Sequence, residues 1–285
     1  MKTYATIDEV KKDFFKVLKK TPPRYSLPVL TDEEKEKLLI LNSMYYQNHK
    51  YIETIKKLIK NRSAFQIAAL VRIMFENAVT MALVYCYSRE NGINRFKSFA
   101  DYEEYQYINE YDRFRSGLSK QLFIPQVIQN AKVKHDEFIK QYGKNHQNWT
   151  GKSIKENCLI LDRDFITFFK IQDLFTIQYI QLYKFLSRTI HGNPNSLINV
   201  RSKRYSVFKR GYVYTTDGLD NLVLYISYAT LSWLLTLKVF SMILKDHKLE
   251  NYVDSELNQH SHIMVNNLET RDYILKIMGI KKKKI

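Results

Sequence analysis

The chain has 285 residues, with 45 Lys and Arg against 29 Asp and Glu, which gives a net charge of +16. Only 8 Gly and 5 Pro are present, which argues against turn-rich all-β folds, collagen-like repeats and flexible linkers, because each needs these residues in quantity. Hydrophobic residues make up 45%, enough to bury a core, and the two cysteines exclude a disulfide framework. This composition predicts a cytoplasmic protein that meets a polyanion or an anionic surface.

Helical patterns dominate the first third of the chain. Residues 5–20 are predicted to form a short amphipathic helix, which ends at a double proline. Residues 31–61 are predicted to form a helix in which Thr31 is the N-cap and the acids after it occupy the first turn. Residues 63–87 are apolar nearly all round, yet charged residues in the middle argue against a membrane span.

The pattern stays helical farther along. Residues 97–148 are predicted to be helical with breaks near Gly117 and Pro125. A loop at 148–152 is predicted to lead into a short helix from Ser153, and residues 165–191 to form one long helix.

The spacing of residue types departs from the helical period once, near the end of the chain. Residues 204–214 alternate β-formers with basic residues, which predicts a small basic hairpin between the last long helices. Residues 220–247 return to a helical pattern. Their uncharged stretch, 221–237, is at the lower limit of a membrane span and is interpreted as a buried core helix. The fold class is therefore all-α.

One helical domain with ragged ends is the simplest organisation. The predicted boundaries are an N-terminal extension at residues 1–30, the helical domain at 31–250, and a C-terminal helix with a basic tail at 251–285.

The positive charge is concentrated in one part of the chain. Residues 174–216 contain no carboxylate, so their positive potential is unscreened by neighbours, which suits contact with phosphates. The alternative is a solvated basic face that aids solubility. The residues predicted to bind nucleic acid are Arg201, Lys203, Arg204, Lys209 and Arg210.

The strongest candidate site lies at the end of the helix predicted at 165–191. Lys184, Ser187, Arg188 and His191 stand at i, i+3, i+4 and i+7, so they share one helical stripe. His191 would act as a base or acid, while Arg188 or Lys184 would hold a phosphate. The alternative is structural: His191 caps carbonyl groups at the helix end and Arg188 is on the surface.

A second constellation is Arg72 and Glu76, an i, i+4 pair inside an apolar helix. One interpretation is an ion pair that neutralises itself; the other is that the pair faces the His191 stripe and orients it. No motif for a metal or a cofactor is present, so neither is predicted. His260 and His262 lie close together, but they are interpreted as a solvated helix end.

Three short motifs resemble a family of uncharacterised bacterial helical proteins related to the HEPN superfamily. They are A-x-x-x-R-I-M-F-E-N with Arg72 and Glu76, N-W-T-G-K-S-I with Trp149, and Y-K-F-L-S-R-T-I-H-G-N-P with His191. The resemblance covers roughly residues 60–245. It implies a HEPN-like helical bundle, a homodimer, and the metal-independent endoribonuclease activity of superfamily members that act in phage defence or with an antitoxin partner. Arg188 lies three positions before His191, closer than in the active members.

These observations leave three functions to compare. The first is a HEPN-like protein that acts on RNA, with His191, Arg188, Lys184 and Ser187 as the catalytic set. The second is a non-catalytic module that binds nucleic acid or a protein through residues 201–210. The third, a membrane-associated helical protein, requires residues 221–244 to insert, and no span is expected there.

Overall fold

The computed structural model describes residues 7–20, 29–61, 63–87, 92–144, 146, 148–184, 186–187 and 217–261. Within these ranges the protein is all-α and contains no strand, as the composition predicts. The predicted hairpin lies outside the described residues. The helices are α1 (Ile7–Lys19), α2 (Asp32–Lys60), α3 (Ala64–Cys86), α4 (Gly92–Phe114), α5 (Leu118–Leu122), α6 (Pro125–Tyr142), α7 (Ile154–Asp164), α8 (Ile166–Phe169), α9 (Leu174–Gln178), a π-helical turn (Tyr179–Tyr183), α10 (Asp217–Leu244) and α11 (His247–Ser261).

The core is built around α10. This helix packs along α3, α2, α1 and α11, and α2 also packs along α3. Val10, Phe14 and Val17 of α1 are fully enclosed by the same core, because they repeat at the spacing of one helical face. The N-terminal helix is therefore packed into the bundle, while the predicted domain limits at residues 30 and 250 stay predictions.

Two of the helices, α3 and α10, are long and apolar enough to cross a membrane by length and composition alone. In α10, 89% of the most apolar window is buried inside the protein, and in α3 the fraction is 61%. Other helices thus cover most of their apolar surface. The prediction that residues 221–237 form a buried core helix is confirmed for residues 222–237, where burial is described.

The predicted helix starts are confirmed where a cap specifies them. Thr31 precedes α2, and its hydroxyl accepts a hydrogen bond from the Glu34 amide while the Glu34 carboxylate accepts one from the Thr31 amide. Ser153 and Glu156 make the same reciprocal pair at the start of α7. The breaks near Gly117 and Pro125 also occur where predicted.

The prediction of one continuous helix at 165–191 is wrong, because the helix is interrupted. The chain leaves the helical path at 170–173, where Lys170 and Asp173 both adopt left-handed backbone conformations. The carboxylate of Asp162 then accepts hydrogen bonds from the amides of Phe175 and Thr176, at 3.0 and 2.6 Å, and so caps the new helix from outside. This acceptor is more than ten positions away in sequence, which is why local periodicity does not reveal the break.

Candidate functional site

The charged pair of α3 lies against the π-helical turn. The Arg72 guanidinium donates from Nε to Glu76 Oε1 at 3.1 Å and from a terminal nitrogen to the Tyr183 hydroxyl at 3.0 Å. It also lies over the Tyr183 ring, 4.8 Å from the centroid. The Arg72 side chain is 20% exposed, so one face of the guanidinium is covered by protein while the site as a whole remains open to solvent.

Tyr183 is the residue that joins this pair to the rest of the site. Its ring packs near Phe75 and stacks on Tyr179, with centroids 6.3 and 5.5 Å apart. Burial raises the pKa of the Tyr183 phenol, and the negative charge of Glu76 raises it further. The hydroxyl therefore stays protonated at neutral pH: its oxygen accepts from Arg72, and its proton remains for donation to Glu76 or to a bound anion.

The π-helical turn itself is unusual. Turns of this kind insert one extra residue into a helix and are frequent at functional sites. Gln178 precedes it and Gln181 lies within it, and both are buried. The side-chain oxygen of Gln178 and both amide atoms of Gln181 have no hydrogen-bond partner among the described residues. A buried amide without a partner is costly to stability.

Lys184 and Ser187 follow the π-helical turn directly. Both are half-buried, and Leu186, which precedes Ser187, is buried in the core. Ser187 lies four positions after Tyr183, which places the two on the same helical face. The other predicted catalytic residues, Arg188 and His191, lie outside the described residues, as do all five predicted nucleic-acid-binding residues at 201–210.

The structure shows Arg72 paired with Glu76 and places this pair against a residue outside the predicted set. Arg72 and Glu76 contact Tyr183, which is the residue immediately before Lys184. Sequence analysis missed Tyr183, although the Tyr179–Tyr183 spacing of four positions was a visible sign of a shared helical face. The contact itself could not be predicted from the sequence, because Arg72 and Tyr183 are far apart along the chain and meet only in the packed bundle.

The N-W-T-G-K segment of the second motif has a structural role. Asn148 Oδ1 accepts from the amide and the hydroxyl of Thr150, and the same hydroxyl lies 3.0 Å from Asn157 Oδ1. Arg95 of α4 donates to the Thr150 carbonyl at 3.0 Å. The buried Trp149 meets Phe96 and Tyr87 edge-on. These contacts join α7 to α4 and to the end of α3.

The two cysteines are not candidates for catalysis. Both are buried, and burial raises the pKa of Cys86 to about 12 and that of Cys158 well above its ordinary value. Each therefore remains a thiol at neutral pH, which is the unreactive form.

The comparisons with known proteins identify a family without an assigned activity. The sequence model of a protein family described as "Family of unknown function (DUF5677)" matches residues 38–204, which is more than half of the chain. The match includes Arg72, Glu76, Trp149, Lys184 and His191. No curated protein and no solved structure matches the chain.

Proposed function

We propose that this protein, which belongs to the family of unknown function DUF5677, acts on RNA as a HEPN-like ribonuclease. The observation that carries the proposal is the contact of Arg72 with Tyr183, one residue ahead of Lys184. A charged pair on an apolar core helix is thereby held against the π-helical turn that precedes Lys184 in the chain. The pair is partly exposed, with 20% of the Arg72 side chain and 39% of the Glu76 side chain open to solvent, so it adds little to stability and a role in positioning functional residues accounts for it.

Charge supports RNA as the partner. The segment that follows the site carries basic residues and no carboxylate as far as residue 216, and the whole chain has a net charge of +16. Phosphates are attracted to such a segment over the range of the Debye length, and each neutralised phosphate releases counterions.

The chemistry requires only side chains of this protein. The 2′-hydroxyl of a ribose attacks the adjacent phosphate while the 5′-oxygen of the next nucleotide leaves, so the product ends in a cyclic phosphate. His191 takes the proton of the 2′-hydroxyl or supplies one to the leaving oxygen, and Lys184 or Arg188 holds the phosphate charge. Arg72, Glu76 and Tyr183 position the π-helical turn that precedes Lys184, the first of these groups in the chain. Ser187 shares the Tyr183 face and would contribute a hydroxyl to the same phosphate.

Cleavage of a labelled RNA by the full-length protein, in the presence of a chelator, tests the proposal. We expect His191→Ala to slow cleavage by about 10²-fold or more, because a general acid or base contributes on that scale. The matched control is His247→Ala, which removes an exposed histidine of α11 and should leave the rate unchanged. Equal cleavage by the His191 variant and the wild type would rule the mechanism out.

The second candidate function is a non-catalytic module that binds nucleic acid through residues 201–210. It predicts that RNA remains intact while its affinity falls steeply with salt. Lys203→Gln/Arg204→Gln should make the salt dependence shallower, by about one unit of slope for each phosphate that the variant no longer neutralises. The control with the same change of charge is Lys57→Gln/Lys60→Gln, at the exposed end of α2. If both double variants change the salt dependence of binding by the same amount, residues 201–210 are not the binding module.

A further inference from the structure

A histidine near the C-terminal end of α11 lies between two carboxylates from different parts of the chain. His260 Nε2 is 3.0 Å from Asp13 Oδ2 of α1 and 3.6 Å from Glu256 Oε2, one turn earlier on α11. The three ligand atoms lie within 4.8 Å of one another. The sequence interpretation of His260 as part of a solvated helix end is wrong, because only 1% of its side chain is exposed.

The hydrogen bonding of this buried histidine is incomplete. Neither ring nitrogen of His260 makes a hydrogen bond of proper alignment with any described residue, even though Nε2 is close to both carboxylates. An imidazole that is fully buried should satisfy both nitrogens, since each unsatisfied polar atom is costly. The nitrogen lone pair and the two carboxylate oxygens meet instead in one small volume.

The spacing of these atoms fits a metal ion. Carboxylate oxygen and imidazole nitrogen bind Zn²⁺ at about 2.1 Å, so two ligand atoms in a tetrahedral arrangement are about 3.4 Å apart. The observed separations of 3.0 and 3.6 Å lie on either side of this value. Two oxygens and one imidazole favour a borderline divalent ion over Ca²⁺ or Mg²⁺, which prefer oxygen alone.

The surrounding charges are compatible with a cation. Lys16 of α1 approaches Glu256 Oε1 at 3.8 Å, but its side chain is half-exposed and can turn to solvent. The Tyr252 hydroxyl is buried beside the same two carboxylates, and their negative charge adds to burial in raising its pKa. The described cluster therefore includes two carboxylates and a further buried oxygen, and the ammonium group of Lys16 beside Glu256 can be displaced.

We propose that Asp13, Glu256 and His260 bind a divalent transition-metal ion such as Zn²⁺, which fastens α1 to α11. Both helices pack on α10, and both lie outside residues 38–204, the part that the family model matches. The site shares no residue with the proposed RNA site, so the two proposals stand or fall separately. The role of the ion is to hold the first and the last described helices together.

Titration of the tag-free, full-length protein with Zn²⁺ after removal of metals by a chelator tests this site. We expect one Zn²⁺ per chain by calorimetry, and a higher melting temperature when Zn²⁺ is present. Asp13→Asn, Glu256→Gln and His260→Gln should each weaken binding at least tenfold, because each removes a direct ligand.

The matched controls lie on the same two helices. Asp8→Asn removes an exposed carboxylate of α1, and His247→Gln removes an exposed histidine of α11, so both should bind Zn²⁺ as the wild type does. Circular dichroism checks that each variant is folded. Visible absorption of the Co²⁺-loaded wild type gives a readout that needs no variant, since bound cobalt at a low-coordinate site absorbs strongly. Absence of stoichiometric binding to the wild type, or equal binding by Asp13→Asn and Asp8→Asn, would overturn the proposal.

Discussion

Asp162 shows how one side chain can be placed at a cost for a local structural purpose. Its carboxylate is the acceptor for two backbone amides at the start of α9, in a position where few water molecules reach it. Burial raises its pKa to about 6, and the hydrogen bonds only partly oppose this. Asp162 is therefore ionised at neutral pH at a cost in folding free energy. Its carboxylate supplies the cap that α9 lacks locally, because the residue before α9 makes no capping hydrogen bond with its side chain.

A pH dependence of stability follows from this shift. The folded protein binds the Asp162 proton more tightly than the unfolded chain, so stability falls as the pH rises from about 4 to about 6 and is level above that. Relative to Asp162→Asn, which cannot ionise, the wild type should lose on the order of 2 kcal/mol of unfolding free energy across this range. Urea denaturation at several pH values measures the difference.

A neighbouring carboxylate provides the control. Asp164 is exposed, and its hydrogen bonds with Arg163 lower its pKa, so its contribution is present above its ordinary pKa and is lost only in stronger acid. The difference between wild type and Asp164→Asn should not decline between pH 4 and pH 6. A parallel pH profile for both variants would show that Asp162 is not the group responsible.

At the scale of elements, the loop from 148 to 152 decides how α7 enters the bundle. Gly151 has a φ of +71°, the left-handed region that favours glycine, and a Cβ at this position would lie 2.7 Å from the imidazole ring of His146. That ring is itself held by a 2.8 Å contact between Nε2 and the Tyr142 carbonyl. Position 151 thus requires glycine for two reasons: its φ lies in the left-handed region, and a Cβ there would clash with the His146 ring.

Gly117 allows these two reasons to be separated. It has a φ of +76° with nothing within 4 Å of an added Cβ, so Gly117→Ala should cost only the conformational strain, about 1 kcal/mol. Gly151→Ala should cost roughly twice as much, because His146 must also move. Urea denaturation of both variants measures the costs.

A double variant tests the source of the additional cost. In His146→Ala/Gly151→Ala the clash is removed, so the cost of the glycine substitution should fall to that seen at Gly117. If the cost at Gly151 is the same with and without the imidazole, the close approach is not what requires glycine.

At the scale of the whole molecule, a buried lysine joins the central helix to the last one. Lys238 of α10 has no exposed surface, and its ammonium lies 2.9 Å from Glu250 and 2.7 Å from Asp254 of α11. Lys170 approaches the same two carboxylates from the surface at 3.7 and 3.9 Å. Because α10 contacts α1, α2, α3 and α11, this ion cluster lies where most of the bundle meets.

Removal of that lysine should therefore be damaging. Lys238→Met leaves two mostly buried carboxylates facing the more distant Lys170 and, at Glu250, the exposed His247, and we expect a loss of about 3 kcal/mol in unfolding free energy. Lys245→Met, just beyond the end of α10, removes the same charge from an exposed pair with Glu34 and should cost less than about 1 kcal/mol. Chemical denaturation of both variants gives the comparison, and equal losses would contradict a special role for the buried cluster.

The amount that sequence could predict differs between the fold and the site. The helices at 31–61 and 63–87 and the breaks near Gly117 and Pro125 were predicted, because caps, proline and apolar periodicity act within a few residues. The Arg72–Glu76 pair was predicted by the same local spacing. Its partner Tyr183 was not, because nothing local to either residue encodes which faces of two helices meet.

Residue type and near neighbours are thus enough to specify the all-α class, the ends of the main helices and the basic, carboxylate-free stretch. The packed bundle was needed to show that the helix predicted at 165–191 breaks where Asp162 caps α9, that Arg72 lies on Tyr183, and that Asp13 meets His260. These contacts join residues from separate elements, and the packing of the apolar faces around α10 sets which of them meet.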